Sequence, residues 1–411
     1  MNYIHWAEFQ DKGDGEALGT SSVKQKNRGL ILKALITEGS QSRAELARKT
    51  QLSPPTVSRI IAELVADNII HEDGVMKSGD VGAPGSMLSF NADGGFVIGV
   101  NVGESVIQCA LANLEGKVID VENAQTKARL GGKRTVEQIA DTCIRLINKN
   151  KVMQKSVLCL GVGVPGTVSI DKDGVLRVNA PDINGWMQFP LKQMMLERTG
   201  IPDIFIENAQ NVAVICEHAI GCAANCSDVV FIHVKAGIGA GVLLNGALFR
   251  GRDGKSGEIG FCMPSLDCAP PEIYANHPRH GALENKIGLC AILQEAGISI
   301  SETNEDLLDL EGLYQQAKDG DMGLYAVISK TWSHLGMLAV NICSLLNPQM
   351  IVLGGDILPL GMQVRDTVDQ YVQSYCLSPC EVKLSAQGNQ TCMLGAVQLA
   401  CTRVYRKLGM R

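Results

Sequence analysis

The stretch Pro54-Pro55-Thr56-Val57-Ser58-Arg59-Ile60-Ile61-Ala62-Glu63-Leu64 decides how the N-terminal region folds. Val57, Ile60, Ile61 and Leu64 recur at helical spacing and predict a buried stripe, while proline is tolerated at a helix start. Thr56, Ser58 and Arg59 fall on the opposite side, near the N-terminus of that helix. Upstream, beyond a turn at Leu52-Ser53, Ser42 and Glu45 have the spacing of a capping box and open a helix carrying Ala44, Leu46 and Ala47. Further upstream, Val23 to Ile36 has apolar residues at Leu30, Ile31, Ala34 and Leu35 and stops at Glu38-Gly39. Downstream, Asn68 to His71 and Ser86 to Phe90 flank a glycine-rich turn, Gly74 to Gly85, and predict the two strands of a wing.

Three helices and a trailing hairpin have the order of a winged helix-turn-helix, whose last helix enters the major groove with its first residues at the base edges. The candidate DNA contacts are Ser53, Thr56, Ser58 and Arg59, with Lys77 in the wing reaching a phosphate. A Ser/Thr/Arg surface alone does not separate this from a three-helix protein-docking module. Charge does so. Residues 21–60 carry eight Lys and Arg against two acids, residues 1–20 one against four, and residues 61–90 one against five. A basic block inside a chain of net charge −6 points to a small domain with a polyanionic partner, double-stranded DNA.

The other bounds are ordinary. A chain of 411 residues with 45% hydrophobic and 19% charged content is a globular protein, not a disordered one. No stretch reaches the roughly 18 consecutive apolar residues needed to span a bilayer, and Met1 to Thr20 lacks an apolar signal core, so a cytoplasmic protein without membrane contact is expected. The fourteen cysteines begin only at Cys109 and are irregularly spaced; they read as buried small hydrophobes.

Beyond residue 90 the rhythm changes. Gly95 to Val102, Val106 to Ala112 and Val118 to Ala124 read as strands, and Thr135 to Asn150 as an amphipathic helix. Ser156 to Val164, Asp203 to Ile206 and Val229 to Val234 are further strands, alternating with helices near Leu191 to Thr199 and Asn208 to Cys222. From Gly281 onward the pattern is mostly helical. An α/β protein follows. The expected organisation is an N-terminal extension over 1–20, a winged helix-turn-helix over 21–90 and a sensor of two lobes over 91–411.

Six motifs in this second part, in order, resemble those of the ROK family of bacterial sugar kinases and sugar-responsive repressors. Gly161-Val162-Gly163-Val164-Pro165-Gly166 is similar to its G-x-G-x-P-G turn, and Pro181-Asp182-Ile183-Asn184-Gly185-Trp186 to its sugar loop. Glu207-Asn208-Ala209-Gln210-Asn211 stands in the place of E-N-D-A-N. Gly237-Ile238-Gly239-Ala240-Gly241, Gly257-Glu258-Ile259-Gly260 and Leu346-Asn347-Pro348 through Val352-Leu353-Gly354-Gly355 complete the set. The resemblance implies an actin-like, ribonuclease-H-like ATPase fold of two lobes around a cleft, and the head in front marks the xylose-type and N-acetylglucosamine-type repressor branch.

The resemblance also locates what is missing. The family's catalytic base, the Asp of E-N-D, is Ala209 here, and a methyl group accepts no proton. The phosphate loop D-x-G-G-T is replaced by Asn101-Val102-Gly103-Glu104-Ser105. A carboxylate set among nucleotide phosphates costs roughly 1–4 kcal/mol at about 4 Å. Ala236 replaces a threonine in the second loop. No catalytic residue and no kinase activity are therefore expected; the alternative is a sugar kinase with an atypical active site and an appended head.

The family's zinc ligands are altered too. Phe261 replaces the histidine, and Cys262, Cys268, His277 and His280 do not reproduce the cysteine spacing. These four are weak candidates for a rebuilt Cys2His2 site; scattered Cys and His in a loop are more often unligated, so no metal and no cofactor are expected. Carried over by position, the effector contacts are Asp182, Asn208, Glu258 and Glu284, side chains suited to sugar hydroxyls, with Ala209 and Phe261 removing two polar contacts. Gly82-Ala83-Pro84 lacks the arginine that the family often carries after the wing. The reading is a DNA-binding regulator, a repressor by expectation, acting as a homodimer or dimer of dimers on operator half-sites and responding to a sugar or sugar derivative.

Overall fold

The computed structural model describes residues 20–75, 86–103, 105–126, 131–181, 183–235, 237–264, 281–287, 293, 295–297, 310–358 and 361–410. The head is built from local signals. Helix α1 (Thr20–Glu38) buries Ile31, Leu32, Ala34 and Leu35. Leu30, expected in that stripe, is instead 38% exposed. The buried face centres on Ile31 and Leu35, and helical spacing alone did not settle which flanking leucine lies within it. After the short strand β1 (Gln41–Ser42), α2 (Arg43–Thr50) starts on the full capping box: Glu45 accepts from the Ser42 amide at 2.8 Å, and the Ser42 hydroxyl accepts from the Glu45 amide at 3.3 Å. Helix α3 (Pro54–Ala66) buries Val57, Ile60, Ile61 and Leu64 completely. Strands β2 (Ile70–Val75) and β3 (Ser86–Phe90) pair antiparallel with Ile70 opposite Phe90, and β1 adds to β3 with Gln41 opposite Leu88.

The remaining chain builds one plan twice. In the first sheet β4 (Phe96–Val102), β5 (Val106–Asn113) and β6 (Val118–Gln125) form an antiparallel meander. Helix α4 (Gly132–Lys149) then leads to β7 (Val157–Val164), parallel to β4. After the hairpin β8 (Thr167–Ile170) and β9 (Leu176–Asn179), α5 (Leu191–Thr199) precedes β10 (Ile204–Asn208), and the sheet order is β10-β7-β4-β5-β6.

Past α6 (Ala209–Ile220), the sequence β11 (Val229–Val234), β12 (Ile238–Leu244), β13 (Ala247–Leu248) repeats the meander. Helices α7 (Glu284–Ile287), α8 (Leu310–Lys318) and α9 (Met322–Leu346) lead to β14 (Met350–Gly355), parallel to β11. Helix α10 (Gly361–Tyr375) leads to β15 (Glu381–Leu384), and α11 (Thr391–Lys407) closes the fold. The order β13-β12-β11-β14-β15 matches the first sheet strand for strand. The mostly helical last third thus contains two parallel strands as well. Every residue of β14 is buried, and such a short apolar run cannot be told from a buried helix by periodicity.

Contacts divide the chain into two units. The first holds the head, the first sheet with α4 and α5, and the C-terminal part of α11 from Ala396; the second holds residues 164–189 and 207–395. Within the first unit the base of the wing is pinned to the sheet. Asn91 donates to the Asn68 carbonyl at 2.8 Å, the Leu114 amide to Ala92 at 2.9 Å, and the Tyr405 hydroxyl to the Leu114 carbonyl. The Phe90 and Tyr405 rings lie 6.2 Å apart.

Candidate functional site

Ser53 caps α3, accepting from the Thr56 amide at 3.4 Å, and its hydroxyl lies 2.8 Å from that of Thr56. Both hydroxyls are therefore engaged in starting the helix. Ser58 and Arg59 project from the exposed face, opposite the buried stripe. Arg59 sits 3.9 Å from Glu63 with 59% of its side chain exposed, a contact loose enough to leave the guanidinium free to turn toward another partner.

Folding redistributes the charge that looked segregated along the sequence. Three of the five acids of residues 61–90 return to the basic block: Lys24 pairs with Glu63 at 2.9 Å, Arg28 with Asp67, and Arg43 with Glu72 at 2.8 Å. Hydrogen bonds from Arg43 and then Ser86 bring the Glu72 carboxyl down to about 2. Lys26, Lys33 and Arg48 are exposed and form no ion pair among the described residues, although Arg48 lies in the field of Glu45. Lys77 and the Gly82-Ala83-Pro84 stretch lie outside the described residues, as does Glu104.

The effector candidates that can be placed all belong to the second unit. Asn208 ends β10 and caps α6: its Oδ1 accepts from the amides of Gln210 at 2.8 Å and Asn211 at 3.3 Å, and its Nδ2 donates to the Gly166 carbonyl at 2.7 Å. It therefore straps the end of the strand to the Gly161–Gly166 turn. Glu207, 4% exposed, accepts from Asn211 at 2.9 Å and from Arg250 Nε at 2.7 Å. Nothing in the sequence pattern flagged Arg250. The signal was indirect, since a buried carboxylate requires a cationic or hydrogen-bonding partner. Ala209, the position of the family's base, is 8% exposed at the first turn of α6.

Glu284 also holds backbone. Its Oε1 accepts from the Ile238 amide and its Oε2 from the Gly281 amide, both at 3.1 Å. The glycine-rich loop needs Gly237 for this approach, because a Cβ there would sit 2.2 Å from Glu284 Oε1. Glu258 differs from both. It is half-buried, and its carboxylate accepts no hydrogen bond among the described residues. Burial first, and then the charge of Glu284, push its carboxyl above the usual range. The turn around it is held by the Ala240 amide on Gly257 at 2.8 Å and the Leu283 amide on Gly260 at 3.0 Å. A half-buried carboxylate without a protein donor is the kind of group that receives a ligand hydroxyl.

Phe261 is 56% exposed, and Cys262 beside it is exposed too. Asp182, Ala236, Cys268, His277 and His280 lie outside the described residues. No group of three or more His, Cys, Asp or Glu able to hold a metal occurs among the described residues. Of the four zinc candidates only Cys262 lies among the described residues, with its thiol exposed.

Similarity to known proteins spans both parts. The chain is 26% identical over 396 residues to the xylose repressor of Caldicellulosiruptor bescii, covering 92% of this chain and 96% of that protein. In structure it is similar to a ROK family transcriptional regulator that is a homolog of E. coli Mlc, with a TM-score of 0.75 and 21% identity over 95% of this chain and 98% of the other. A ROK hexokinase from Thermus thermophilus matches with a TM-score of 0.59 and 23% identity, over 75% of this chain and 99% of that one. The fold is thus the two-lobed actin-like one of ROK proteins. A winged helix-turn-helix DNA-binding profile matches residues 25–71, and the ROK profile matches residues 97–403, most of the sequence: the chain belongs to the ROK family.

Proposed function

We propose that the chain is a sugar-responsive transcriptional repressor whose kinase-like part senses and does not phosphorylate. The observation that carries the reading is the junction of a capped, winged helix-turn-helix, with Ser58 and Arg59 exposed on α3, to a ROK domain that has Ala209 where the family's base stands. Repressors and a hexokinase share this fold, so the fold alone does not choose between them. The remaining carboxylates of the site do not supply a substitute base. Glu207 is held by Arg250 and Asn211, and Glu284 by two backbone amides, which leaves Glu258 as a ligand acceptor.

On this reading Ser58 and Arg59 read bases while Lys26, Lys33, Arg48 and Lys77 meet phosphates. The protein works in the cytoplasm as a homodimer or dimer of dimers, because paired half-sites mirror a twofold axis. Sugar binding and operator binding are reciprocally coupled, by about 1–3 kcal/mol. A pentose is the first effector to try, given the named relative. The test is an operator selected from genomic fragments, titrated in a gel shift with and without each sugar of a panel led by xylose. Loss of affinity on adding one sugar supports the proposal; identical affinity with every sugar, or ATP-dependent sugar phosphorylation at enzymatic turnover, overturns it.

A further inference from the structure

Cysteines cluster at one end of the second sheet, away from every residue assigned above. Cys343 lies in the last turn of α9, Cys376 follows α10 directly, and Cys380 precedes β15. Helices α9 and α10 both end beside the starts of β14 and β15, so three thiols that are 33 and 37 positions apart in sequence meet at one corner. Cys343 Sγ and Cys380 Sγ are 3.3 Å apart. Cys343 and Cys376 also interact through their side chains. Across β15, Lys383 and Glu381 lie close to two more cysteines, Cys222 and Cys226.

We propose that this corner is a redox modification site at which a hydroperoxide converts Cys343 and Cys380 into a reversible disulfide. The two sulfurs already stand in contact at 3.3 Å, and a disulfide requires them to close to about 2.05 Å. Cys380 is the attacking group. The Cys343 thiol donates a hydrogen bond to it and favours its thiolate, and the same pairing holds the proton on Cys343. Cys343 and Cys380 are each only 5% exposed, so the oxidant must reach them from the edge of the corner, where Cys376 is half-buried between Tyr375 at 72% and Leu377 at 105% exposure.

The chemistry balances with hydrogen peroxide as oxidant. The Cys380 thiolate attacks one peroxide oxygen, an S–O bond forms, the O–O bond breaks, and hydroxide leaves and takes up a proton as water. The Cys343 sulfur then attacks the Cys380 sulfenic acid, the S–S bond forms, and the S–O bond breaks to release a second water. Two thiols lose two electrons and peroxide gains them. An external dithiol reverses the step by exchange through a mixed disulfide, and Cys376 is the thiol of this cluster nearest to solvent.

The disulfide would tie the end of α9 to the start of β15 and lock the segment between them, which contains β14 and α10. The pair is closer than Cys109 and Cys143, whose sulfurs stand 4.0 Å apart inside the first unit; all four thiols are buried.

The experiment uses the full-length folded protein treated with hydrogen peroxide, then blocked by alkylation under native conditions, digested and read by mass spectrometry. Expected is a Cys343–Cys380 linked peptide, lighter by two hydrogens than the reduced pair, which disappears on adding dithiothreitol. Cys376→Ser should still form it, and Cys343→Ser should not. Circular dichroism on the oxidised wild type keeps the test within the native fold. The proposal is overturned if both cysteines remain alkylatable after denaturation, if the link joins Cys376 instead, if Cys380 goes to sulfinic acid with Cys343 still free, or if the link appears only when the dichroism shows unfolding.

Discussion

Replacing Asn208 by alanine separates a structural role from a ligand-contacting one. The side chain makes three hydrogen bonds: two from the first amides of α6 to its Oδ1, and one from its Nδ2 to the Gly166 carbonyl at 2.7 Å. Losing an N-cap to alanine costs ~1 kcal/mol, and losing one hydrogen bond in a site this buried costs about another 1 kcal/mol. The sum, ~2 kcal/mol, falls on a unit for which each kcal/mol moves Tm by about 2–4 °C, so the expected loss is roughly 4–8 °C. Asn208→Asp keeps the capping acceptor at a helix N-terminus, where negative charge is favourable, and loses only the donor to Gly166. It should lose about half as much.

The assay is differential scanning calorimetry of the three proteins, with sugar titration of each once an effector is found. The stability order wild type, Asp, Ala supports the capping role. A melting curve for Asn208→Ala within about 1 °C of wild type would refute the reasoning, since removing two capping bonds cannot then have occurred. If the curve is unchanged while effector affinity falls, the side chain faces the ligand and the cap is made by something else.

Other perturbations follow from the same geometry. Arg59→Ala should weaken operator binding by about 1–3 kcal/mol in a gel shift and leave the melting temperature nearly unchanged, because its contact with Glu63 is exposed and 3.9 Å long; an equal loss on unrelated DNA would show that it meets only phosphate. Glu258 has its carboxyl raised by burial and by Glu284, so between its ordinary value near 4.5 and its folded value the native state binds more protons than the unfolded one, and stability falls as pH rises. Glu258→Gln should remove that decline in thermal melts across the window and reduce sugar affinity; a parallel pH profile in both proteins would contradict it. Gly409 has φ of +96°, and a Cβ there would meet the Gln25 carbonyl of α1 at 1.9 Å, whereas Gly39, with φ of +81°, has nothing within 4 Å. Both alanine variants carry the left-handed strain of about 1–2 kcal/mol. Only Gly409→Ala should additionally free the head, seen as faster proteolytic cleavage between head and sheet; equal cleavage rates in the two variants would argue against the joint.

The head was legible almost residue by residue because its signals are local. Ser42 with Glu45 and the spacing Val57-Ile60-Ile61-Leu64 act within one or two turns, and the structure uses both as read; Ser53, read as a turn residue and a DNA contact, caps α3. The second sheet was legible only in part. Val229–Val234 announces itself as a strand, but Ile351-Val352-Leu353 is buried on both sides and has no polar alternation to mark its period. The duplication of the whole plan is invisible in sequence because it lies in strand order, and strand order is set by pairing between residues more than a hundred positions apart, as in Val229 with Met350. Charge misled for the same reason. The basic block and the acids after it are separate windows along the chain, yet Glu63, Asp67 and Glu72 fold back onto Lys24, Arg28 and Arg43. The electrostatic face left for DNA therefore rests on fewer cations than the linear count offered.

The effector residues failed to be legible in a more instructive way. Position-matching selects Asn208, Glu258 and Glu284 as equals, since each is a polar side chain standing where the family has one. Hydrogen-bond accounting ranks them. Asn208 spends both of its polar atoms on backbone, and Glu284 spends both oxygens on the amides of Ile238 and Gly281. A group so committed can touch a ligand only with its remaining lone pairs, and it gains little selectivity from doing so. Glu258 carries the desolvation penalty of a half-buried carboxylate with no described donor to offset it. A ligand hydroxyl removes that penalty on arrival, so affinity at this site should depend on Glu258 far more than on the two residues that sequence placed beside it.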